Sequence, residues 1–153
     1  FYGVFTVQEE VGLRGAQAST LEIQPDFSFG LDTTIAFDTP GAKPQEQCTR
    51  LGEGVAIKIM DSSVICDQRM VEFMKTVADE KKIEWQPEIL RAGGTDTASL
   101  QRMTPGGSIA GAVSLPTRHI HQVIEMCNKH DVAEAIKLLA ACLCGLDKYD
   151  WEF

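Results

Sequence analysis

Glu9 and Glu10 stand side by side where an apolar stretch, Phe1 to Val7, gives way to the glycine-punctuated run Val11-Gly12-Leu13-Arg14-Gly15-Ala16. Two adjacent carboxylates at such a junction could divide labour, one binding a metal while the other moves a proton. Matching groups lie downstream. Asp32 falls in a second strand-like segment, Gly93-Gly94-Thr95-Asp96 links a later strand to a helix, and His119-Ile120-His121 follows the last strand. Carboxylates and imidazole together suit zinc or a similar divalent ion. Two such ions close together can activate a shared water, with a nearby Glu as proton shuttle.

Residue type alone leaves plainer roles open at each of these positions. Paired glutamates in the first turn of a helix also serve its dipole. Asp32 could cap a turn. His119 and His121 alternate on a segment read as extended, so they should face opposite sides, with one at most entering a shared site. Gly93-Gly94-Thr95-Asp96 reads either as a turn with a helix cap or as a backbone-amide cradle for a substrate group. Arg118 could pair on the surface or orient a carboxylate.

Hydrophobic periodicity indicates which elements carry these residues. Strands are expected at 3–8, 27–34, 55–60, 84–90 and 108–115. Helices are expected at 11–20, 67–81, 95–103 and 130–145. The segment 55–60 is continuously apolar except for Lys58, and Pro87 puts the strand at 84–90 near a sheet edge. In the second helix Met70, Phe73, Met74 and Val77 recur at three and four; in the last, the stripe is Val132, Ala135, Ile136, Leu139 and Leu143. Residues 39–54, rich in Pro, Gly and polar groups, read as a long loop of the kind that is often functional. Alternating strands and helices imply an α/β fold, a mixed and mostly parallel sheet with helices on both faces, and ligands at the carboxyl ends of its strands.

The 153 residues suit one domain with one core, and 44% apolar content supports it. A net charge of -8 argues against nucleic-acid and anionic-membrane partners. No apolar run is long enough to span a bilayer, and the first residues lack the pattern of a signal peptide. Five cysteines, an odd count without a CxxC pair, suggest reduced thiols in a cytoplasmic protein. Cys142 and Cys144 read as small hydrophobes rather than a chelate. A start at Phe1, already inside an apolar strand, suggests a fragment or a processed product.

The run Val7-Gln8-Glu9-Glu10-Val11-Gly12-Leu13-Arg14-Gly15-Ala16 resembles the signature of the dinuclear-metal aminopeptidases of the glutamyl and tetrahedral type, many of which carry the label endoglucanase or cellulase M. Asp32-Thr33-Thr34 through Asp38-Thr39-Pro40-Gly41, then Gly93-Gly94-Thr95-Asp96, then Pro116-Thr117-Arg118-His119-Ile120-His121 agree with that family in order. The resemblance implies a peptidase-type α/β domain, with Glu9 as general base. Glu10 and His121 would hold one metal and Asp32 the other. The loop of Gly94, Thr95 and Asp96 would border the substrate. It further implies two divalent ions (zinc or cobalt, with manganese a third option), peptide substrates, and a homo-oligomer in the full-length protein. Where the family usually continues from the histidine with Ser-Pro-Val-Glu, this chain has Gln122-Val123-Ile124-Glu125. Family members are roughly twice as long, and their first half supplies a His, the Asp that bridges both metals, and an inserted β domain. On that resemblance residues 1–153 correspond to the C-terminal part of the catalytic domain, without the N-terminal part and the oligomerisation insert. The alternative is a non-catalytic α/β fragment or assembly subunit with a vestigial metal site. A glycoside hydrolase fits less well, because its carboxylates must flank a sugar bond across a gap and Glu9 and Glu10 are adjacent.

Overall fold

The computed structural model describes residues 1–152. Four strands form the body of one sheet: β1 (Phe27–Ile35), β2 (Val55–Met60), β3 (Trp85–Ile89) and β4 (Ile109–Arg118). Their spatial order is β1-β4-β2-β3, and a short β5 (Met126–Cys127) pairs with the end of β4. β1 runs parallel to β4 and β2 parallel to β3, while β2 and β4 are antiparallel, so the sheet is mixed. β3 lies at one edge, where Pro87 takes no ladder bond away from a central strand. β4 runs past Pro116 because pairing with β2 ends at Ser114, which leaves no partner there for the N–H that proline lacks.

The helices are α1 (Arg14–Ile23), α2 (Gln68–Lys81), α3 (Thr97–Arg102) and α4 (Lys129–Gly145). Strand parity assigns them to two faces. A side chain on Gly30 would collide with Thr97 of α3, whereas one on Gly111, opposite the neighbouring residue Phe29, would strike Met70 and Met74 of α2. Helices therefore cover both faces. α2 starts at Asp67, whose carboxylate accepts from the Arg69 N–H, and its stripe of Met70, Phe73, Met74 and Val77 is buried. Phe73 also packs against Tyr149 and Trp151 near the end of the chain.

Three expectations fail in instructive ways. Residues 3–8 form no strand: Tyr2, Val4, Phe5 and Val7 lie exposed, and β1 has no partner on its outer side among the described residues. Their alternation is strand-like, but pairing needs a neighbour as well as a pattern. The first helix begins later than expected, after a separate 3-10 turn at Glu9–Val11, because Gly12 and Leu13 adopt left-handed backbone conformations between the two. In α4 only Ala135 of the five-residue stripe is buried, and Ile136 is exposed. Two carboxylates rotate this helix inward. Asp131 accepts the Gly52 and Gly54 N–H groups at 2.8 and 3.0 Å, and Glu134 accepts the Glu84 N–H at 3.0 Å. Buried acceptors paired with otherwise orphaned amides outweigh the purely apolar phase.

Residues 39–54 form a long loop, as expected, with a 3-10 turn at Pro44–Glu46. The cysteines are all free; Cys66 and Cys142 are buried, and burial pushes both thiols up to about 12.

Candidate functional site

Glu9 and Glu10 occupy the 3-10 turn, entered through Gln8 at φ 58° and left through Gly12 at φ 115°. These left-handed residues fold the chain back so that the turn sits over the start of α1. Gly15 permits the return: its N–H donates to the Val7 carbonyl at 2.9 Å, and a Cβ there would lie 2.5 Å from the Val7 backbone. Asp32 is placed differently. It lies inside β1, opposite Ser114 of β4, with one carboxylate oxygen accepting the Thr33 N–H at 2.7 Å.

His119 and His121 are not on an extended segment. Both have left-handed backbone conformations in a turn beyond β4, at φ 57° and 62°. The turn is held by a Gln122 N–H to His119 carbonyl bond of 3.0 Å and by Glu125, which accepts the His121 N–H at 2.6 Å. Upstream, Arg118 grips Asp38 through both carboxylate oxygens at 2.6 and 2.9 Å, and Asp38 also accepts the Leu51 N–H. Arg118 thus pins the exit of β4 to both ends of the long loop. Its hydrogen bonds, more than its charge, hold the Asp38 carboxyl below the usual range.

These elements enclose a cleft of about 460 Å³. Glu9, Glu10, Asp32 and His121 line it, with Gly94 and Thr95 on one wall and Leu13, Ile35, Leu90, Ala92 and Ile120 giving apolar surface. His121 Nδ1 lies 3.8 Å from Glu10 Oε2. His119 and Asp96 do not line the cleft. Asp96 instead receives the Thr6 hydroxyl at 2.5 Å, which ties the segment before Glu9 to the start of α3, and its side chain does not cap that helix. Among the described residues no group of three or more His, Cys, Asp or Glu side chains converges as a metal-binding set.

Burial raises the Glu9 carboxyl above its ordinary value, and Asp32, Glu10 and Asp96 push it further, with His121 opposing. Burial likewise raises Asp32, reinforced by Asp96 and Glu10 and opposed by the Thr33 N–H and by Lys58. Carboxylates that share a cleft disfavour one another's charge, and a cation among them would reverse that.

Lys58 is the cleft residue that the sequence reading passed over as an interruption of an apolar strand. Its side chain is wholly buried at the cleft floor, 2.6 Å from Glu88 Oε1 and 3.2 Å from Asp61 Oδ2. Burial works against its charge, but Glu88 and then Asp61 outweigh that and hold the ammonium above its ordinary value. The available signal was the lysine itself, since a charge inside a continuously apolar strand needs a buried partner.

The sequence pattern of the M42 glutamyl aminopeptidase family matches residues 1–138. A protein of Acetivibrio thermocellus is 43% identical over 94% of this chain and 42% of its own length. An aminopeptidase from the archaeon Desulfurococcus kamchatkensis superposes with a TM-score of 0.85 and 39% identity, covering 90% of this chain and 39% of that one. The Pyrococcus horikoshii TET1 peptidase, which can assemble into a tetrahedron or a large octahedral shell, superposes with a TM-score of 0.77 and 30% identity over 90% of this chain and 38% of its own. The chain spans 38–42% of the length of the curated relatives it matches.

Proposed function

The chain belongs to the M42 glutamyl aminopeptidase family, and from that premise we propose that it contributes one side of the active site of a metal-dependent aminopeptidase, which hydrolyses N-terminal residues from peptides. The observation that carries this is the convergence of Glu10 and His121 to 3.8 Å in the cleft that Glu9 and Asp32 also line.

Carboxylate oxygen and imidazole nitrogen suit Zn²⁺ or Co²⁺, and also Mn²⁺. Glu10 and His121 would hold one ion and Asp32 a second. Three donors do not complete two sites, so the remainder would come from polypeptide outside the stretch matched here. When bound, the ions supply Lewis acidity toward a water and the scissile carbonyl. Glu9 would take a proton from the attacking water and deliver it to the leaving amine, so the carboxylate would end each cycle as it began. Burial, and after it the neighbouring carboxylates, raise its proton affinity above the ordinary carboxylate value. Gly94 and Thr95 border the substrate. The Thr6–Asp96 bond ties the residue after that wall to the segment that leads into Glu9.

Homo-oligomeric assembly is proposed for the full-length protein from the shells formed by the Pyrococcus horikoshii peptidase. A cytoplasmic setting is proposed from the free thiols, which suit a reducing compartment. Among the described residues no helix is long and apolar enough to cross a membrane.

The test uses the longest natural polypeptide that carries this chain. Glu9→Gln should lower kcat by about 10²–10⁴ and leave bound metal unchanged. Glu10→Ala and His121→Ala should each lower metal content. Undiminished turnover in Glu9→Gln would remove it as the base. The second reading, a non-catalytic unit with a vestigial metal site, draws on the lack of a three-donor group among the described residues. Metal analysis of the longest natural polypeptide that carries this chain separates the two: two tightly held ions speak for the enzyme site, and none or one weak ion for the vestige.

A further inference from the structure

Lys58 is the largest side chain among those fully buried in the described residues. It stands between two carboxylates that each reach on to a different wall of the cleft. Glu88 Oε1, 2.6 Å from the ammonium, also accepts the Thr34 hydroxyl at 2.7 Å, and Thr34 lies two residues beyond Asp32 on β1. Asp61 Oδ2, 3.2 Å from the ammonium, accepts the Thr95 hydroxyl at 3.3 Å on the opposite wall. The other oxygen of Asp61 fixes its own turn through the Ser63 N–H, the Ser63 hydroxyl and the Val64 N–H. That turn in turn binds the Gly93 carbonyl through the Ser62 N–H and hydroxyl.

A cluster whose only task was stability would be better served by aliphatic side chains. Three buried charges are costly to desolvate, and one oxygen of Glu88 is left with no partner. What the cluster supplies that a Leu or Met cannot is direction. Each bond has a fixed partner, and the chain of bonds runs from the Asp32 strand to the Gly93–Thr95 turn without a break. We propose that Lys58 is a positioning residue for the cleft, an internal cation that sets the spacing between the wall carrying Asp32 and the wall carrying Gly94 and Thr95. The proposal rests on the hydrolase reading for its effect on turnover, but the tether itself does not.

The experiment compares three proteins in the longest natural polypeptide carrying this chain. Lys58→Met alone strands two buried carboxylates and should destabilise. The triple variant Lys58→Met, Asp61→Asn, Glu88→Leu removes the charges together and should melt near the wild type. Its kcat on an aminoacyl p-nitroanilide should still fall about tenfold or more, because small displacements of reacting groups are expensive. The pair Thr34→Val and Thr95→Val cuts both tethers and leaves the ions in place. It should fold normally and show the same direction of change in kcat. In both the triple and the pair, amide exchange of Thr33–Ile35 and of Gly94–Thr97 should quicken, a readout that needs neither substrate nor metal. A triple variant or valine pair with wild-type kcat and wild-type exchange overturns the proposal. Faster exchange in a protein whose wild type hydrolyses no peptide would keep the tether and remove the hydrolase reading instead.

Discussion

The two walls of the acidic cleft are built in different ways. Asp32 belongs to a nine-residue strand whose register with β4 is continuous from Phe27 to Ile35. Glu9 and Glu10 stand on a three-residue turn, preceded by residues with no regular structure and with apolar side chains in solvent. That second wall is held by a few bonds: locally, Gly15 N–H to the Val7 carbonyl and Gly12 and Leu13 N–H to the Glu9 carbonyl, and at long range the single bond from Thr6 to Asp96 at the start of α3. Ladder hydrogen bonds and core packing open only when the sheet opens, whereas a few local bonds open by themselves. The metal-ligand candidate Asp32 should therefore share the stability of the core, while the candidate base and its neighbour should not.

The largest effects should mark the difference most clearly. Phe73, buried and in tilted ring contact with Tyr149 and Trp151, anchors the sheet side. Phe73→Ala should cost about 3–5 kcal/mol in urea unfolding. Phe5→Ser, at a fully exposed position, should stay within about 0.5 kcal/mol. Equal costs would mean that residues 1–8 belong to the cooperative core, and the comparison between the walls would fail.

A matched pair of glycines sharpens it. On Gly30 a Cβ would lie 2.0 Å from Thr97 Oγ1, between β1 and α3. Gly30→Ala should therefore cost about 1–3 kcal/mol of global stability through overpacking. On Gly15 the clash is with the Val7 backbone, which can move away. Gly15→Ala should lower the melting temperature far less, yet quicken amide exchange at Gly15 and displace Glu9 and Glu10.

This asymmetry also explains what could be read from the sequence. β2 was placed residue for residue and α2 within one residue, because their apolar patterns and the Asp67 cap coincide with real burial. The stretch 3–8 has an equally good strand pattern and forms no strand, since a pattern specifies a face and not a partner. In α4 the apolar stripe gave the wrong phase, because Asp131 and Glu134 turn inward to amides of the long loop and of the segment before β3, which no local window contains. At the cleft, Glu9, Glu10, Asp32, His121, Gly94 and Thr95 were all named from sequence and all line it, owing to the family resemblance more than to spacing. Asp96, named with them, faces Thr6 instead. Lys58 went unassigned, because a buried cation shows its role only through Glu88 and Asp61, and Glu88 lies on another strand.

Thr6→Val tests the looser wall on a smaller scale. It removes one hydrogen bond to a carboxylate and should cost about 1.5–3 kcal/mol at most. Because that bond is the one side-chain tie among the described residues between the loosely held segment before Glu9 and α3, most of the loss should show as faster exchange at Gly15 and Leu13 rather than as a shift in global unfolding. A full loss in urea unfolding would make Thr6 part of the sheet's cooperative unit.

The smallest effect concerns the exit of β4, where the rigid wall hands over to the turn that carries His121. Asp38 is held below the usual carboxylate range chiefly by hydrogen bonds from Arg118, aided by the Leu51 N–H, against a burial that pushes it up. Its pKa in the folded protein is therefore below that in the unfolded chain, about 3.9. A depressed carboxylate contributes stability that is complete above the unfolded value and is lost as pH falls through the folded one. Between pH 7 and pH 5 Asp38→Asn should show a constant deficit against the wild type. Below about pH 4 the two acid-unfolding curves should converge, as the wild-type carboxyl takes up its proton. The same titration followed by amide shifts localises the response. Protonation of Asp38 releases Arg118 and the Leu51 N–H, so signals from Thr117 to Gln122 and at Leu51 should move together, while those of Gly30 to Asp32 stay in place. If the β1 amides move with them, the Arg118–Asp38 clamp is coupled to the whole sheet rather than to the end of β4 alone, and the border between the two walls lies beyond His121.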